Sequence, residues 1–285
     1  MNPLIALRDV SYEYPDGTQA LSSIDMQVFP GESIAIVGPN GGGKSTLLMV
    51  LSALIYPTSG TVELFGKKLD RKMIDRPKRM FQIRKRIGVM FQDPDVQLFS
   101  ATVFDDVAFG PINFGLSEEE VRKKVMGTLR YLGIEDLAEK HPYELSGGEK
   151  RKAALATAIV TNPEVLMLDE PTADLDPKSK GELVRIINSF RKNGKTVIMA
   201  THDMETVPEV ARRAIILNGK IIRDGSVEDV LMDEESLKKA SLEAPYSVKI
   251  SKILKKYGLG DITLEGDKAL ERLEKILKKC GKTFY

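Results

Sequence analysis

The chain has a single cysteine, Cys280, so neither a disulfide framework nor a cysteine metal site is available to it. Neither sign of charge is in excess. Its 42 Lys and Arg stand against 41 Asp and Glu, which removes any global electrostatic argument for a nucleic-acid partner. Apolar runs such as AALATAIV at 153–160 are core-sized and fall well short of the roughly 20 residues of a membrane span. The start, MNPLIALRDV, lacks the basic-then-apolar layout of a secretion signal, and the chain is expected to be intracellular. What is left is an ordinary globular composition in 285 residues, enough for one large domain or two smaller ones.

The first thirty residues alternate apolar and polar, as in LIALRDVSYEY, and break at PDG and PGE. That pattern predicts antiparallel strands joined by turns. SIAIVG at 33–38 is a short β-branched run suited to a strand buried on both faces. It feeds a glycine loop and then STLLMVLSAL, a helical pattern expected to end near Pro57, with two short strands around SGTVELFG. From Ser117 the texture changes. SEEEVRKKVMGTLRYLG opens with a capping box between Ser117 and Glu120, aligns Val121, Val125, Leu129 and Leu132 on one face, and stops at Gly133. EVLMLDE and KTVIMATHD read as two more buried strands with a helix between them, and IILNGKIIRDG as a hairpin on a type I′ Asn-Gly turn. Past residue 230 two amphipathic pieces carry stripes at Ile250, Ile253 and Leu254, then Leu270, Leu273 and Leu277, which must dock on something.

Chemistry concentrates in three stretches. GPNGGGKST, 38–46, fits the phosphate-loop spacing at Gly38, Gly43, Lys44 and Ser45. Its glycines let backbone N–H groups turn toward a β-phosphate, Lys44 adds a point charge, and the Ser45 hydroxyl can ligate Mg²⁺. In EVLMLDEP, 164–171, Asp169 ends a strand where it can join a Mg²⁺ shell. Glu170, one residue on, faces elsewhere, toward a water it could polarise as general base. The third stretch is ELSGGEKRK, 144–152. Ser146 and Glu149 form a second capping box, yet Gly147 and Gly148 cost helix stability and leave bare N–H groups at a positive helix end, an anion site. Two anion devices far apart in sequence converge on one phosphate in either of two ways. The chain folds them together, or a second copy supplies the second one.

Taken together, residues 1 to about 230 resemble the nucleotide-binding subunit of an ATP-binding cassette (ABC) protein. LSGGEK is similar to the family's signature, GPNGGGKST and VLMLDE to its Walker A and Walker B motifs, and Gln92 in VMFQDP to the Q-loop. ADLD at 173–176 is similar to the D-loop, His202 in ATHD to the switch histidine, and Tyr14 to the aromatic that stacks on adenine. The resemblance implies an α/β fold: a P-loop NTPase core with an antiparallel β subdomain, a helical subdomain inserted at about 93–152, and a small C-terminal helical appendage over 231–285, for which dimerisation is one role. It implies ATP and Mg²⁺ as cofactors, bound by Tyr14, by Gly38, Pro39, Asn40, Gly41, Gly42, Gly43, Lys44, Ser45 and Thr46, and by Ser146, Gly147 and Gly148. Asp169, Ser45 and Gln92 are implied as metal ligands, and Glu170, His202 and Gln92 as catalytic residues. In this family two cassettes pair head to tail, so the second anion device would serve the ATP of a second ABC ATPase subunit, identical or related. Glu149 replaces a frequent glutamine, and is expected to point back into its capping bond. Asp174 is more acidic than the usual D-loop residue.

The stretch 88–116 resembles the ATPases of energy-coupling factor importers and their cobalt and nickel relatives. That implies integral membrane transport subunits as partners, a peripheral place on the cytoplasmic face of the membrane, and a groove near Gln92 to Phe114 that receives a membrane partner's helix. The bland reading is that Leu98, Phe99, Phe104 and Phe109 pack the insert's own core. The basic run at 67–86 reads as a solvated face. An alternative function, a non-transport cassette acting on nucleic acid or the ribosome, would need a long coiled coil between Gln92 and Leu145, where only residues 93–144 intervene, or a second cassette in the chain.

Overall fold

The structure is a computed structural model that describes residues 2–69, 77–259, 264 and 266–279. Cys280, the centre of the basic run at 70–76 and the Leu277 side chain lie outside the described residues. Two sheets organise the chain. The smaller is antiparallel, in the order β2-β1-β4-β5, from strands β1 (Ile5–Glu13), β2 (Gln19–Val28), β4 (Ser59–Leu64) and β5 (Lys67–Leu69). The larger has the order β10-β9-β3-β8-β7-β6. Its members are β3 (Ser33–Val37), β6 (Ile87–Met90), β7 (Val165–Asp169), β8 (Thr196–Thr201), β9 (Arg213–Asn218) and β10 (Lys220–Ser226). All its neighbours pair in parallel except the edge strand β10.

Side chains alternate across a strand, and β3 uses both faces. Ile34 and Ile36 join the small sheet and helix α1 (Lys44–Leu51) in one core, while Ala35 and Val37 join a second. Helix α1 therefore lies between the sheets, and it ends earlier than its apolar pattern implied, because Ala53 turns the chain at φ 55°. The second core recruits Met204 and Val207, then helices α9 (Val227–Met232) and α10 (Glu234–Lys239), and reaches Val248 of α11 (Tyr246–Lys256). In the appendage Leu254, Ala269 and Ile276 pack together with Ile250 and Leu273, joining α11 to α12 (Gly266–Lys279). Two residues of the expected stripes face out instead: Ile253 is 56% and Leu270 62% exposed.

The inserted helices are α3 (Pro94–Gln97), α4 (Val103–Asn113), α5 (Glu118–Leu132) and α6 (Gly147–Ile159), after a short α2 (Pro77–Arg84) on the core side. In α5 the capping box is formed in both directions, Gly133 sits at φ 65°, and Val121, Val125, Leu129 and Leu132 are its buried residues. They share a third core with α6, with Leu166 and Leu168 of β7, and with Leu183 and Ile187 of α7 (Pro177–Lys192). Between β8 and β9 lies the short α8 (Val207–Val210).

The Asn-Gly hairpin departs from its expected turn. A type I′ turn needs positive φ at both central residues, but only Gly219 is positive, at 65°, and Asn218 pairs with Lys220. Tertiary contacts explain the tighter tip. Gly219 N donates to Gly42 O at 3.0 Å, and Gly219 O accepts from Ser22 N at 2.8 Å, so the tip is held between the phosphate loop and β2.

Two glycines separate close packing from open space. A Cβ on Gly88 of β6 would stand 2.1 Å from Ala158 O and 2.9 Å from Pro163 Cγ, whereas one on Gly127 of α5 would meet nothing within 4 Å. Gly88→Ala is expected to cost about 2 kcal/mol of stability by overpacking. Gly127→Ala should gain about 0.7 kcal/mol, by removing backbone freedom from a helix interior. Urea unfolding of the two variants checks the opposite signs.

Candidate nucleotide site

The residues singled out for chemistry gather at the carboxyl ends of the parallel strands, where open α/β sheets place their ligand sites. The phosphate loop follows β3, Gln92 follows β6, Asp169 ends β7 and His202 follows β8. Tyr14, Asn40, Gly41, Gly43, Lys44, Ser45, Thr46, Gln92 and Glu170 line one cavity of about 460 Å³. Thr18, Gln19 and Ala20, which the motifs did not single out, complete its wall. Gly38, Pro39, Asn40 and His202 line a second cavity of about 490 Å³ beside it, closed on its far side by Leu242, Ala244 and Tyr246 near the start of the appendage. Gly42 closes a turn of the loop, its N–H donating to Pro39 O at 3.0 Å.

Lys44 is 7% exposed, and its ammonium donates to Gly38 O at 3.0 Å and Pro39 O at 3.1 Å. The same Nζ lies 3.7 Å from Glu170 Oε1. Glu170 is 4% exposed and holds φ 45°, a left-handed backbone that a residue with Cβ adopts at a cost. Its carboxylate is over-determined by neighbours. Oε1 is 2.8 Å from His202 Nδ1, and Oε2 accepts from Thr201 Oγ1 at 3.1 Å and from His202 N at 3.3 Å. Tyr14 is half-buried, its hydroxyl is 2.9 Å from Thr46 Oγ1, and its ring meets Tyr12 edge-on at 4.9 Å.

Asp169 behaves differently from the carboxylate beside it. Burial raises its pKa above the ordinary aspartate value, the nearby Glu170 charge adds to that, and the Ser45 hydroxyl, Lys44 and Arg151 pull the other way. Its Oδ1 is buried with no hydrogen-bond partner. A buried oxygen acceptor of this kind, on a carboxylate that feels the Ser45 hydroxyl, suits a hard cation that takes oxygen ligands, so the residues present fit Mg²⁺.

The signature stretch stands outside the cavity. Leu145 is buried, Ser146 and Gly147 are exposed, and Gly148 is half-buried. The capping box is complete: Ser146 Oγ donates to Glu149 Oε2 at 2.7 Å, and Ser146 N does so at 2.8 Å. Those bonds hold the Glu149 pKa below the ordinary glutamate value. The two glycines part company here. A Cβ on Gly148 would stand 2.8 Å from Ser179 Oγ of α7, whereas Gly147 has nothing within 4 Å. Close approach is thus internal at Gly148 and left to the outside only at Gly147. The expected groove residues also divide, with Leu98 buried and Phe104 packed on the insert core while Phe99 and Phe109 are 66% and 54% exposed.

Comparison with known proteins bears on this arrangement. The family pattern described as ABC transporter matches residues 21–173. The chain belongs to the ABC transporter family. It is 39% identical over 276 residues to the energy-coupling factor transporter ATP-binding protein EcfA of Methanothermobacter thermautotrophicus, covering 96% of this chain and 88% of that protein. It is 43% identical over 260 residues to EcfA2 of Methanospirillum hungatei, covering 91% of this chain but 64% of that longer protein. Among solved structures, cbiO1 of Clostridium perfringens, described as part of the ABC transporter complex cbiONQ, superposes with a TM-score of 0.72 at 38% identity, over 88% of this chain and 100% of that one. The ATP-binding cassette MJ0796, solved in a post-hydrolysis state bound to ADP and Pi, superposes with a TM-score of 0.69 at 30% identity, over 78% of this chain and 98% of that one. The chain is an ATPase of this family.

A buried carboxylate with a raised pKa makes stability depend on pH. The penalty is absent below the ordinary aspartate pKa, grows as pH rises above it, and is complete above the raised folded-state value. Asp169→Asn is therefore expected to stabilise the nucleotide-free protein near neutral pH by about 1 kcal/mol, while ATP turnover collapses. Thermal melts at neutral and acidic pH check it, and the gain should shrink at low pH.

Proposed function

We propose that the chain is the ATP-hydrolysing subunit of a membrane importer of the energy-coupling factor type, carrying transition-metal ions such as cobalt or nickel, or vitamins. It works at the cytoplasmic face of the membrane, paired with a second ABC ATPase subunit and bound to integral membrane transport subunits. One observation carries the two-chain site. Tyr14, the phosphate loop, Gln92 and Glu170 line a single cavity, while the exposed Ser146–Gly147 helix start of the same chain does not line it. An anion device that faces away from its own chain's phosphate loop serves a phosphate held by another chain.

Within that site each side chain has a separable task. Lys44 exchanges its loop carbonyls for phosphate oxygens. Glu170, fixed by Thr201 and His202, takes the proton of the attacking water. His202, bonded to Glu170 through Nδ1, keeps that carboxylate oriented. Tyr14, tied to Thr46 by its hydroxyl, sets the adenine platform beside the phosphate loop. Ser45, Asp169 and Gln92 would hold Mg²⁺, which supplies positive charge against the phosphate oxygens. Catalysis is then mostly positioning and charge stabilisation of an in-line transfer to water.

Phe99 and Phe109 meet edge-on at 5.3 Å, and with Val96 and Ile112 they form an exposed apolar patch. Asp106 holds its loop, accepting from Phe99 N at 3.0 Å and Ser100 N at 2.9 Å. Exposed apolar patches of this kind mark interaction sites, and this one is assigned to the membrane subunit.

Glu170→Gln should keep ATP binding, lose at least about a hundredfold in turnover, and accumulate an ATP-bound dimer in sedimentation experiments. Full hydrolysis by that variant would remove Glu170 as the base. Ser146→Arg should bind ATP as a single chain with near-normal affinity and fail to hydrolyse it. A dilute single chain turning over as fast as the concentrated protein would rule out the shared site. Separately, the Phe99→Asp/Phe109→Asp double variant should hydrolyse ATP but no longer co-isolate an integral membrane protein from solubilised membranes. Retained co-isolation would move the docking surface elsewhere.

A further inference from the structure

One buried charge has no task in the chemistry above. Arg151 on α6 is 7% exposed. Burial pushes its guanidinium below the ordinary arginine value, and the carboxylates of Asp174, Asp93, Glu170 and Asp169 oppose that shift. Its Nη1 donates to Gln92 O, and its Nη2 donates to Ala173 O at 3.5 Å. Ala173 N in turn donates to Glu170 O at 3.2 Å. A single planar group therefore spans the backbone of the glutamine loop and the backbone of the turn that carries the general base.

Neighbours on the same helix reinforce one side or the other of that span. Lys150 Nζ reaches Asp95 Oδ1 at 2.6 Å, just past Gln92. Gln97 stands across the same joint: its Nε2 donates to Ala154 O at 3.0 Å and Thr157 Oγ1 at 2.6 Å, and its Oε1 accepts from Phe91 N at 2.9 Å. Lys152 pairs with Glu182 of α7 at 2.8 Å. Helix α6 is thus fastened to the glutamine loop on both sides of Gln92, and to the helix that follows the 173–176 turn.

We propose that Arg151 is a positioning residue for ATP hydrolysis, joining the Gln92 loop and the Glu170–Asp174 turn through α6 so that they respond to nucleotide as one body. The inference rests on the ATPase activity and not on the two-chain site, since every contact lies within one chain. Arginine's fixed fork can hold two carbonyls at once, whereas a lysine ammonium is a point charge. Arg151→Lys therefore keeps a cation among the four carboxylates while breaking the span.

The test uses the full chain, with Lys152→Ala as a control that removes a neighbouring contact and leaves the span intact. Arg151→Lys should melt near the wild-type temperature and bind ATP with unchanged affinity. Its kcat should fall roughly tenfold with KM within about twofold. Hydrogen exchange with a non-hydrolysable ATP analogue supplies the readout that a merely structural role would not move. In the wild type, amides at 90–95 and 171–176 should gain protection over the same range of analogue concentration. In Arg151→Lys the two segments should respond separately, and in Lys152→Ala together. Wild-type kcat in Arg151→Lys, or joint protection surviving in it, would overturn the proposal. So would separate responses in the wild type, a measurement that stands even if the lysine variant fails to fold.

Discussion

Two consecutive carboxylates, Asp169 and Glu170, sit where a strand buried on both faces meets the phosphate loop, and the site depends on sending them to different places. Two like charges side by side in a low dielectric repel, and neither has bulk water to relieve it. The chain separates them with backbone. At φ 45°, Glu170 turns away from the strand toward Lys44, Thr201 and His202, while Asp169 stays in line and meets Ser45. Backbone strain of this kind costs on the order of 1–3 kcal/mol and persists only where surrounding contacts fix it. Those contacts come from the ends of β3 and β8, so the parallel order of the large sheet is a condition of the chemistry.

The same logic extends outward through the insert. Gln92 follows the outermost parallel strand, β6, which among the described residues has a neighbour on one side only. A loop leaving such an edge would wander unless something else held it. Close contact between Gly88 and Ala158 O of α6 seats the strand, and Gln97 locks the following turn to the same helix. Helix α6 therefore fixes the glutamine loop from outside the sheet, while its own first turn points away from the cavity. The exposed phenylalanines begin two residues after Gln97, so movement of the glutamine loop and movement of the apolar patch share one support.

Much of this was legible in the residues, because the motifs carry their own geometry. The glycine loop at 38–43 lies between β3 and α1 as its motif implied, and β3, β7 and β8 are read from short continuous apolar runs, the mark of strands buried on both faces. The stripe of α5 and its caps matched residue for residue, since helix periodicity and capping are local. What the sequence left out was decided across distance. The Asn-Gly turn lost its type I′ form to contacts with Gly42 and Ser22. Ile253 and Leu270 face out although they lie on apolar stripes, because α11 and α12 bury only the narrower seam where they meet. Leu98 and Phe99 are adjacent yet take opposite fates, which Asp106 sets by anchoring their loop. Arg151 stands between two lysines, and nothing local marks it as buried.

The two serine–glutamate capping boxes show how far local form can diverge from role. Ser117 with Glu120 and Ser146 with Glu149 make the same reciprocal bonds, with hydroxyl-to-carboxylate distances of 2.9 and 2.7 Å. Each places a carboxylate near the positive end of a helix, where it offsets the dipole. In α5 that is the whole story, because the helix is then consumed by its apolar stripe. In α6 the box is followed by Lys150, Arg151 and Lys152, each committed to a different element. A serine hydroxyl has a single proton to give, and at Ser146 it goes to Glu149. Glu149 N and Lys150 N also bond to Ser146, which leaves the backbone N–H groups of exposed Gly147 and half-buried Gly148. Through Arg151 the same helix is tied to the backbone of Gln92 and Ala173, so on the proposed two-chain reading an anion at this outer surface is joined mechanically to the turn that carries Glu170.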